Sequence, residues 1–238
     1  ADACVGALFP VTVGDFARKH GQPPGRGAVV LGMGSLGART LNAGSDLDLI
    51  VIYDAEGADS SDGPRPLAAR PYYARLTQAM ITAASAPTAE GRLYEVDMRL
   101  RPSGRQGPVA TAIGSFESYQ MTEAWTWEHM ALTRARVISS SAEFRERIEA
   151  IIRGVLTRPR DPASTAADVA DMRRAIALEK GEDDVWDLKL AAGGLVDIDF
   201  IAQYLQLAHA SVKPEILSVS TLQVLDTAAK LGLLGQSE

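Results

Sequence analysis

A glycine-rich turn between two apolar runs constrains the fold of this chain more than any other sequence feature. Residues 28–31 form a short apolar run that predicts a buried strand, and residues 46–53 predict a second strand. Between these runs lie the glycine-rich turn of residues 32–37 and a brief connector. We therefore expect a strand, a glycine turn, a short helix and a second strand over residues 28–54.

Two aspartates open the second predicted strand, and their spacing indicates a cation-binding role. Strand side chains alternate between faces, so Asp46 and Asp48 project from the same side of the strand. Aspartate is depleted in strands, and two carboxylates on one face repel each other unless a positive charge lies between them. Because hard oxygen ligands suit magnesium, the pattern predicts Mg²⁺ bound to the phosphates of a nucleotide.

Two other interpretations of this segment compete with the cation site. In the first, the aspartates only begin a strand at its solvent edge. In the second, residues 32–37 read G-x-G-x-x-G after a strand, with Asp54 roughly 20 residues further on, as in a dinucleotide-binding fold. Only eight residues separate Gly37 from Asp46, whereas a crossover to a parallel strand normally needs about a dozen or more. The dinucleotide interpretation also gives the two aspartates no role, so the cation site is favoured.

A third predicted strand, residues 93–101, carries further charged groups. Alternation places its apolar residues on one face and its charged residues on the other, namely Glu95, Asp97, Arg99 and Arg101. A solvated outer face is one interpretation of this pattern. The other is functional: Asp97 supplies a third carboxylate beside the first two, and the arginines meet phosphate, which a guanidinium binds in a bidentate way. The loop after this strand adds Arg105.

The proline-rich residues 158–162 mark the boundary between two predicted domains, residues 1–157 and residues 158–238. The first domain carries the predicted strands, and a long helix is predicted over residues 116–135 in its last part. The second is predicted to be helical. Its last helix is predicted over about residues 221–234, and the chain stops soon afterwards, before the apolar pattern is complete. We therefore expect the second domain to be truncated at its C-terminus.

Several residues outside the strands are interpreted as structural. Ser115 is predicted to cap the helix over residues 116–135, and Trp125, Trp127 and His129 on that helix to pack in the core. In the second domain, Ser164 or Thr165 is predicted to cap a helix that Gly181 stops. Residues 186–190 are predicted to be extended. Asp197 and Asp199 fall in the first turns of a later helix, where the helix dipole favours negative charge.

Composition excludes several functional classes. A net charge of −6 argues against a general nucleic-acid binder. No apolar run approaches the length that spans a membrane, and the first residues lack the features of a signal peptide. Cys4 is the single cysteine, so no disulfide framework is expected and a reducing cytoplasm is the predicted location. The chain lacks an initiator Met, which suggests an excised fragment.

Four motifs together resemble one family. A glycine-serine turn, a short helix and an acidic pair that opens a strand resemble the active site of the DNA polymerase β-like nucleotidyltransferases. More narrowly, the chain resembles the carboxy-terminal, adenylylating half of glutamine synthetase adenylyltransferase. The motifs that carry this resemblance are GMGSLGARTLNAGSDLDLI, YEVDMRLRPSG, EAWTWEHMALTRARV and GGLVDIDFIAQYLQL. The resemblance implies an α+β nucleotidyltransferase fold with a small mixed β-sheet flanked by helices, followed by an α-helical domain.

The resemblance also implies an activity and a site. The expected reaction transfers AMP from ATP to a tyrosine hydroxyl of glutamine synthetase, with Mg²⁺ as the cofactor and PII signalling protein as a regulatory partner. Asp46, Asp48 and Asp97 would be the catalytic residues and the metal ligands. The expected nucleotide- and phosphate-binding residues are Gly34, Ser35, Ser45, Arg99, Arg101 and Arg105. One departure lies at Ser35, where many relatives carry Lys.

Two alternative functions stay open at this point. One is the deadenylylating relative, which would use the same carboxylates while phosphate attacks the tyrosyl-AMP bond. The motif EAWTWEHMALTRARV favours the adenylylating half over this relative. The other alternative is a regulatory module of nucleotidyltransferase fold without catalysis, and the presence of all three carboxylates argues against it.

Overall fold

The computed structural model describes residues 1–92, 94–181, 184 and 186–234. Its helices are α1 (Asp2–His20), α2 (Gly34–Gly37), α3 (Ala69–Ala84), α4 (Ile113–Thr122), α5 (Thr126–Leu132), α6 (Ala142–Leu156), α7 (Pro162–Lys180), α8 (Leu195–His209) and α9 (Thr221–Lys230). Its strands are β1 (Gly27–Gly32), β2 (Leu47–Asp54), β3 (Pro87–Thr88), β4 (Gly91–Arg92), β5 (Val96–Asp97), β6 (Ala110–Ala112) and β7 (Arg136–Ser139). Short 3-10 helices occupy Gly104–Gln106 and Pro214–Ile216. No helix among the described residues is long and apolar enough to cross a lipid bilayer.

The chain divides into two compact units. Unit 1 comprises Ala1–Glu123 and Ala135–Ile151, and unit 2 comprises Ala124–Arg134 and Ile152–Glu238. Packing defines these units, and packing alone does not show which segment folds independently. The predicted domain division between residues 157 and 158 therefore stays a prediction.

A mixed sheet with β2 at its centre organises unit 1. The strand order is β5-β2-β1-β7, and β6 also pairs with β2. The β1–β2 pair is antiparallel, with Gly27 opposite Asp54 and Gly32 opposite Leu49, whereas β5 and β6 run parallel to β2. A dinucleotide-binding unit needs a parallel crossover after its glycine turn, so the antiparallel pairing rules out that interpretation of residues 32–37. The predicted strands over residues 28–31 and 46–53 correspond to β1 and β2.

β2 is buried on both faces, and one hydrophobic cluster of unit 1 lies on the face of Leu47. Leu47, Leu49, Val51 and Tyr53 alternate toward this face and pack with buried side chains of α1 and α3. Burial of the apolar side chains drives this packing, and the buried tyrosines of α3 satisfy their hydroxyls. Tyr72 donates a 2.9 Å hydrogen bond to the Gly21 carbonyl, and Tyr73 donates a 2.6 Å hydrogen bond to the Pro24 carbonyl.

Every secondary-structure element that the structure describes in unit 2 is a helix. Helix α8 packs against α7 and α9, and α5 packs against α7 and α8. A separate apolar cluster joins α8, α9 and the 3-10 helix at Pro214–Ile216, and its fully buried members include Ile216, Val224 and Ala228. The predicted α+β fold, with a small mixed sheet flanked by helices and followed by a helical part, is confirmed.

The third predicted strand is much shorter than expected. Only Val96 and Asp97 are in a strand, and the chain turns from Arg99 onward, where the Arg101 N–H donates to the Met98 carbonyl at 3.3 Å. Leu93, the first residue of the predicted strand, lies outside the described residues. The prediction that Asp97, Arg99 and Arg101 share one strand face is therefore wrong, because alternation ends at β5.

The helix predicted over residues 116–135 is two helices, α4 and α5. Trp125 interrupts it in an extended conformation, and the Glu128 carboxylate accepts a 3.0 Å hydrogen bond from the Trp125 N–H. The predicted cap at Ser115 is also wrong, since α4 begins two residues earlier, after Ala112.

Two predictions in the second half of the chain also need correction. Helix α7 begins at Pro162 and is capped by Asp161, whose carboxylate accepts a 2.8 Å hydrogen bond from the Ser164 N–H. Proline suits this first position because its missing N–H would have no helical partner there. Residues 186–190 form turns and not an extended piece. The predicted stop at Gly181 is confirmed.

Candidate active site

The two aspartates of the second strand flank a buried core residue. Leu47, between Asp46 and Asp48, is fully buried in the core of unit 1. Asp46 is exposed and Asp48 is half-buried. Asp46 immediately precedes β2, and Asp48 is the second residue of that strand. Because side chains alternate along a strand, the Asp48 carboxylate lies on the face opposite Leu47.

Strand β5 brings Asp97 beside Asp48. The two strands are parallel, with Leu47 paired to Val96 and Asp48 paired to Asp97. The Leu47 N–H donates a 2.8 Å hydrogen bond to the Glu95 carbonyl, which anchors this register. Paired residues on neighbouring strands lie about 4.8 Å apart and point to the same face. The two carboxylates are therefore neighbours, which the hypothesis of a three-carboxylate site requires.

The glycine turn packs directly against Asp48. Gly34 has a φ of +50°, and a Cβ placed on it would lie 2.4 Å from the Asp48 Oδ2 atom. The Met33 N–H donates a 2.9 Å hydrogen bond to the Asp48 carbonyl, which ties the turn to β2. Ser35 follows as the second residue of α2 and is half-buried. Gly34 and Ser35 are thus placed next to the carboxylate pair.

Arg99 neutralises Asp97. Its backbone N–H donates to the Asp97 Oδ1 atom at 2.8 Å, and its Nε donates to Oδ2 at 2.6 Å. Burial alone would raise the pKa of Asp97, but the hydrogen bonds and charge of Arg99, with the charge of Arg105, outweigh it and lower that pKa. The hydrogen bond and charge of Asp97 raise the pKa of Arg99, and the charges of Asp48 and Asp46 add to this effect. Arg99 therefore binds Asp97 directly, and the charges of Asp48 and Asp46 favour its protonated form.

The other predicted phosphate-binding residues have different surroundings. Arg101 donates to three backbone carbonyls of its own loop, those of Met98 at 2.7 Å, Arg105 at 3.2 Å and Gly107 at 3.3 Å. Arg105 is exposed. The Ser45 hydroxyl donates a 2.9 Å hydrogen bond to the Asn42 side chain. Arg101 and Ser45 thus hold their loops in place, and their roles toward a phosphate stay predictions.

The chemistry of the donor set fits a divalent cation such as Mg²⁺. Asp46 and Asp48 offer carboxylate oxygens at the start of β2, and Asp97 lies in register beside Asp48. Among the residues that the structure describes, however, no three or more His, Cys, Asp or Glu side chains are already grouped as a metal site. The pairing of Asp97 with Arg99 is a physical reason, because the guanidinium occupies the oxygens that a cation would use.

Comparison with known proteins identifies the family. The sequence model described as glutamate-ammonia ligase adenylyltransferase matches residues 1–151. The chain belongs to this family. A second model, described as GlnD PII-uridylyltransferase, matches residues 170–238, which include α8 and α9.

Curated relatives of this family match the chain along its whole length. A protein of Bradyrhizobium diazoefficiens is 61% identical over 100% of the chain, and one of Rhodopseudomonas palustris is 59% identical over 100% of it. A protein of Xanthobacter autotrophicus is 54% identical over 98% of the chain. All three are named bifunctional glutamine synthetase adenylyltransferase/adenylyl-removing enzyme. The chain spans 24% of the length of each.

Arg136 supports the glycine turn, and sequence reasoning did not identify it. From β7 it donates from Nε to the Gly37 carbonyl at 3.0 Å and from its terminal nitrogen to the Leu36 carbonyl at 2.8 Å. It also pairs with Asp2 at 2.9 Å. These bonds fix the end of α2, where helical carbonyls lack partners. No local sequence signal reveals this role, because the carbonyls lie 99 and 100 residues away along the chain.

Asn42 organises the connector before Asp46 and was also missed. Its side-chain oxygen accepts hydrogen bonds from the Gly44 N–H at 3.0 Å and from the Ser45 hydroxyl at 2.9 Å. Asparagine two residues before glycine is a known turn signal, so the sequence contained the information.

The structural interpretations of the α5 residues are only partly correct. His129 is buried, and its Nδ1 atom lies 3.4 Å from the Arg160 guanidinium, so its packing role is confirmed. The packing interpretation of the tryptophans is wrong, because Trp125 is 72% exposed and Trp127 is 37% exposed. The break between α4 and α5 turns both rings away from the expected core position.

The two aspartates of α8 serve unit 2. Asp197 pairs with Arg173 and accepts a 2.6 Å hydrogen bond from the Gly193 N–H, which agrees with a role at the helix start. Asp199 pairs with Arg134 and accepts a 2.7 Å hydrogen bond from the Thr221 hydroxyl. Both carboxylates are thus engaged in contacts within their own unit.

Proposed function

We propose that this chain carries the catalytic segment of an adenylyltransferase that moves AMP from ATP to a tyrosine hydroxyl of glutamine synthetase. The pairing of Asp48 with Asp97 across β2 and β5, with Gly34 packed against Asp48, carries the proposal. This pairing joins two motifs that are distant in sequence into one acidic face. Family membership and the names of the relatives support the same activity.

Asp46, Asp48 and Asp97 would hold Mg²⁺ in this proposal. The bound metal would supply Lewis-acid stabilisation of phosphate charge and lower the pKa of an attacking hydroxyl. Arg99, paired with Asp97, offsets part of the negative charge of the site before a nucleotide binds. Arg99 is the side chain that must leave Asp97 for the carboxylate to bind metal. A nucleotide phosphate, with its bidentate fit to guanidinium, is the group that Arg99 would bind instead.

The glycine turn would contact the rest of the triphosphate. Backbone N–H groups at Gly34 and Ser35, together with the Ser35 hydroxyl, would donate to phosphate oxygens. A side chain at position 34 would occupy the space next to Asp48, so glycine keeps this approach open. Arg105 and Arg101 would add positive charge to the loop beside Asp97, and Ser45 would steady the entry to β2.

The proposed reaction is an in-line displacement at the α-phosphorus of ATP. The tyrosine oxygen forms a bond to that phosphorus while the bond to the bridging oxygen of pyrophosphate breaks. Pyrophosphate leaves with that electron pair, and the phenol proton passes to water. The chain's own contribution is to hold and orient the triphosphate and to balance its charge through carboxylate-bound metal and arginine.

Adenylyl removal is a second candidate, because the relatives are named for both activities. The same carboxylates would then assist phosphate attack on the tyrosyl-AMP bond. We favour transfer to tyrosine on the basis of the motif EAWTWEHMALTRARV in the sequence. The partners proposed for this chain are glutamine synthetase as the protein substrate and a PII signalling protein as a regulator.

Asp48→Asn tests the proposal because the amide keeps the shape of the side chain and removes its charge. We expect the variant to lower AMP transfer to glutamine synthetase by about a thousandfold or more, since metal stabilisation contributes several kcal/mol and each 1.4 kcal/mol or so is tenfold in rate. Transfer is measured by the mass of glutamine synthetase, and pyrophosphate release is measured in parallel. The unchanged chain with the tyrosyl-adenylylated substrate and phosphate distinguishes adenylyl removal.

Asp59→Asn is the matched control for this experiment. Asp59 is exposed, and its side chain makes no hydrogen bond or ion pair in the described part of the chain. It should leave transfer unchanged. If Asp48→Asn transfers AMP at the rate of the Asp59→Asn variant, the metal assignment is wrong.

A further inference from the structure

Unit 1 contains a cavity of about 340 Å³ that is separate from the candidate active site. Its polar lining includes Tyr53, Arg70, Ser103, Ser115 and Glu123. Tyr53 follows Asp48 by five positions on β2, which is about 16 Å along a strand and on the opposite face by alternation. The cavity therefore opens away from the carboxylates of the proposed catalytic site.

Two helices begin at this cavity without a side-chain cap. Arg70 lies in the first turn of α3, whose cap residue Ala68 offers no side-chain hydrogen bond. Ser115 lies in the first turn of α4, whose cap residue Ala112 likewise offers none. The first N–H groups of a helix lack helical partners and carry the positive end of its dipole. At α3, however, the Ala69 N–H already donates to the Asp59 carbonyl at 2.9 Å and Pro71 has no N–H, so this helix contributes its dipole and not a set of free donors.

Arg70 adds a full positive charge. Throughout residues 1–92, 94–181, 184 and 186–234, its guanidinium makes no hydrogen bond and no ion pair. Its charge acts on the Tyr53 hydroxyl, where it opposes the effect of burial on the pKa of that group. An arginine without a carboxylate partner at a cavity rim is available to bind an oxyanion in a bidentate way.

Tyr53 is a buried residue that lines the cavity, and its hydroxyl makes no hydrogen bond in the part of the chain that the structure covers. The residue is 7% exposed, and its ring stacks on Tyr73 at 4.3 Å. Tyr53 pairs with Ala112 across β2 and β6, and both residues line the cavity. Burial raises the pKa of Tyr53, so its hydroxyl keeps its proton at neutral pH and can donate a hydrogen bond. Thr111, which also lines the cavity, has a buried hydroxyl without a hydrogen-bond partner among the described residues; such a group is costly to bury, and a ligand would remove that cost.

We propose that this cavity binds a small oxyanion, a phosphate or carboxylate group, through Arg70, the Tyr53 hydroxyl and the start of α4, with the dipole of α3 adding positive potential. Its volume falls in the usual range for small-molecule sites, which is about 300–1,000 Å³. Glu123 at the same cavity opposes anion binding and limits its strength. Ser103 belongs to the loop that also carries Arg105, whose charge acts on Asp97. A bound anion would therefore contact the loop that adjoins the candidate active site.

Calorimetric titration of the 238-residue chain tests the site without added metal, with inorganic phosphate in one arm and malonate in the other. We expect binding of at least one of the two anions, and the tighter one identifies the ligand class. Arg70→Gln and Tyr53→Phe should each weaken that binding by about tenfold or more, because each removes a donor to a charged group. Tyr53→Phe keeps the ring that stacks on Tyr73, so the fold is preserved.

Arg75→Gln is the matched control, since Arg75 is an exposed arginine on the same helix and does not line the cavity. It should leave affinity unchanged. Glu123→Gln should strengthen binding severalfold, because it removes a repelling charge. Absence of binding by both anions, or equal affinity in Arg70→Gln, Tyr53→Phe and Arg75→Gln, overturns the proposal. Weaker binding in Glu123→Gln overturns it as well, since Glu123 would then be a ligand group.

Discussion

At the scale of single residues, Gly34 is the position where the site tolerates least change. Its φ of +50° suits glycine, and a Cβ would lie 2.4 Å from the Asp48 carboxylate. Gly34→Ala should therefore displace Asp48 and lower AMP transfer by about a hundredfold. The left-handed backbone should cost a further 1–2 kcal/mol or so of folding free energy. Turnover and thermal unfolding measured on one preparation separate the two effects.

Gly114→Ala provides the comparison for this substitution. Gly114 lies in α4, and nothing is within 4 Å of the position of its missing Cβ. Alanine should be neutral or slightly stabilising there, because glycine disfavours a helix interior. Equal activity of the two alanine variants would contradict the close approach of Gly34 to Asp48.

Asp97 should make stability depend on pH in a specific window. Its folded pKa lies below the ordinary 3.8, so its ionised form stabilises the fold above about that pH. This stabilisation is lost as the pH falls through the lowered folded value. Asp97→Asn should therefore be less stable than the unchanged chain at pH 6, and the difference should shrink as the pH falls below 3.8.

Urea unfolding midpoints from pH 2.5 to pH 6 measure this dependence. Glu117→Gln is the control, because Glu117 is exposed on α4 and has no ion pair among the described residues. It should show no such pH-dependent difference. A stability gap for Asp97→Asn that stays constant over the whole range would show that Arg99 does not stabilise the ionised carboxylate.

At the scale of secondary-structure elements, the sequence correctly predicted the strands that show a continuous apolar run or an alternating pattern of apolar residues. β1 and β2 follow from continuous apolar runs, and the face of Asp46 and Asp48 follows from the period of two. β5 was overestimated because the pattern from Glu95 to Arg101 alternates like a strand. Arg101, however, donates to three carbonyls of its loop and closes a turn instead. Hydrogen bonds from a side chain to the backbone of its own loop leave no periodic pattern in the sequence, so they could not be predicted from it.

The same limit explains the other errors. The split between α4 and α5 depends on the Trp125 N–H, which donates to Glu128 three residues later, so a continuous helical pattern concealed a local alternative. The support that Arg136 gives to α2 depends on strand pairing between β1 and β7, which local sequence does not determine. The cavity at Tyr53 and Arg70 depends on how β2, α3, β6, α4 and the loop before β6 meet, so the sequence did not predict it either.

At the scale of the whole molecule, the apolar clusters around Leu76 and Leu205 among the described residues predict separate responses to mutation. Leu205 is 5% exposed in the core of unit 2, and Leu76 is 1% exposed in the core of unit 1. Either leucine replaced by alanine should cost about 2–5 kcal/mol in the unit that contains it. In hydrogen exchange, Leu205→Ala should accelerate α8 and α9 and leave β1 and β2 unchanged, and Leu76→Ala should do the reverse. Equal acceleration everywhere would indicate one cooperative unit.

The two-residue length of β5 has a consequence for how this protein tolerates insertions. Because the side-chain period of a strand is two, a slip of one position would turn Asp97 to the opposite side of the sheet. A two-residue strand has few backbone hydrogen bonds to resist that slip. The hydrogen bond from Leu47 to Glu95 on one side and the three hydrogen bonds of Arg101 on the other therefore hold β5 in register. Single-residue insertions should therefore be harmless in the exposed β3–β4 hairpin and disabling between Glu95 and Arg101.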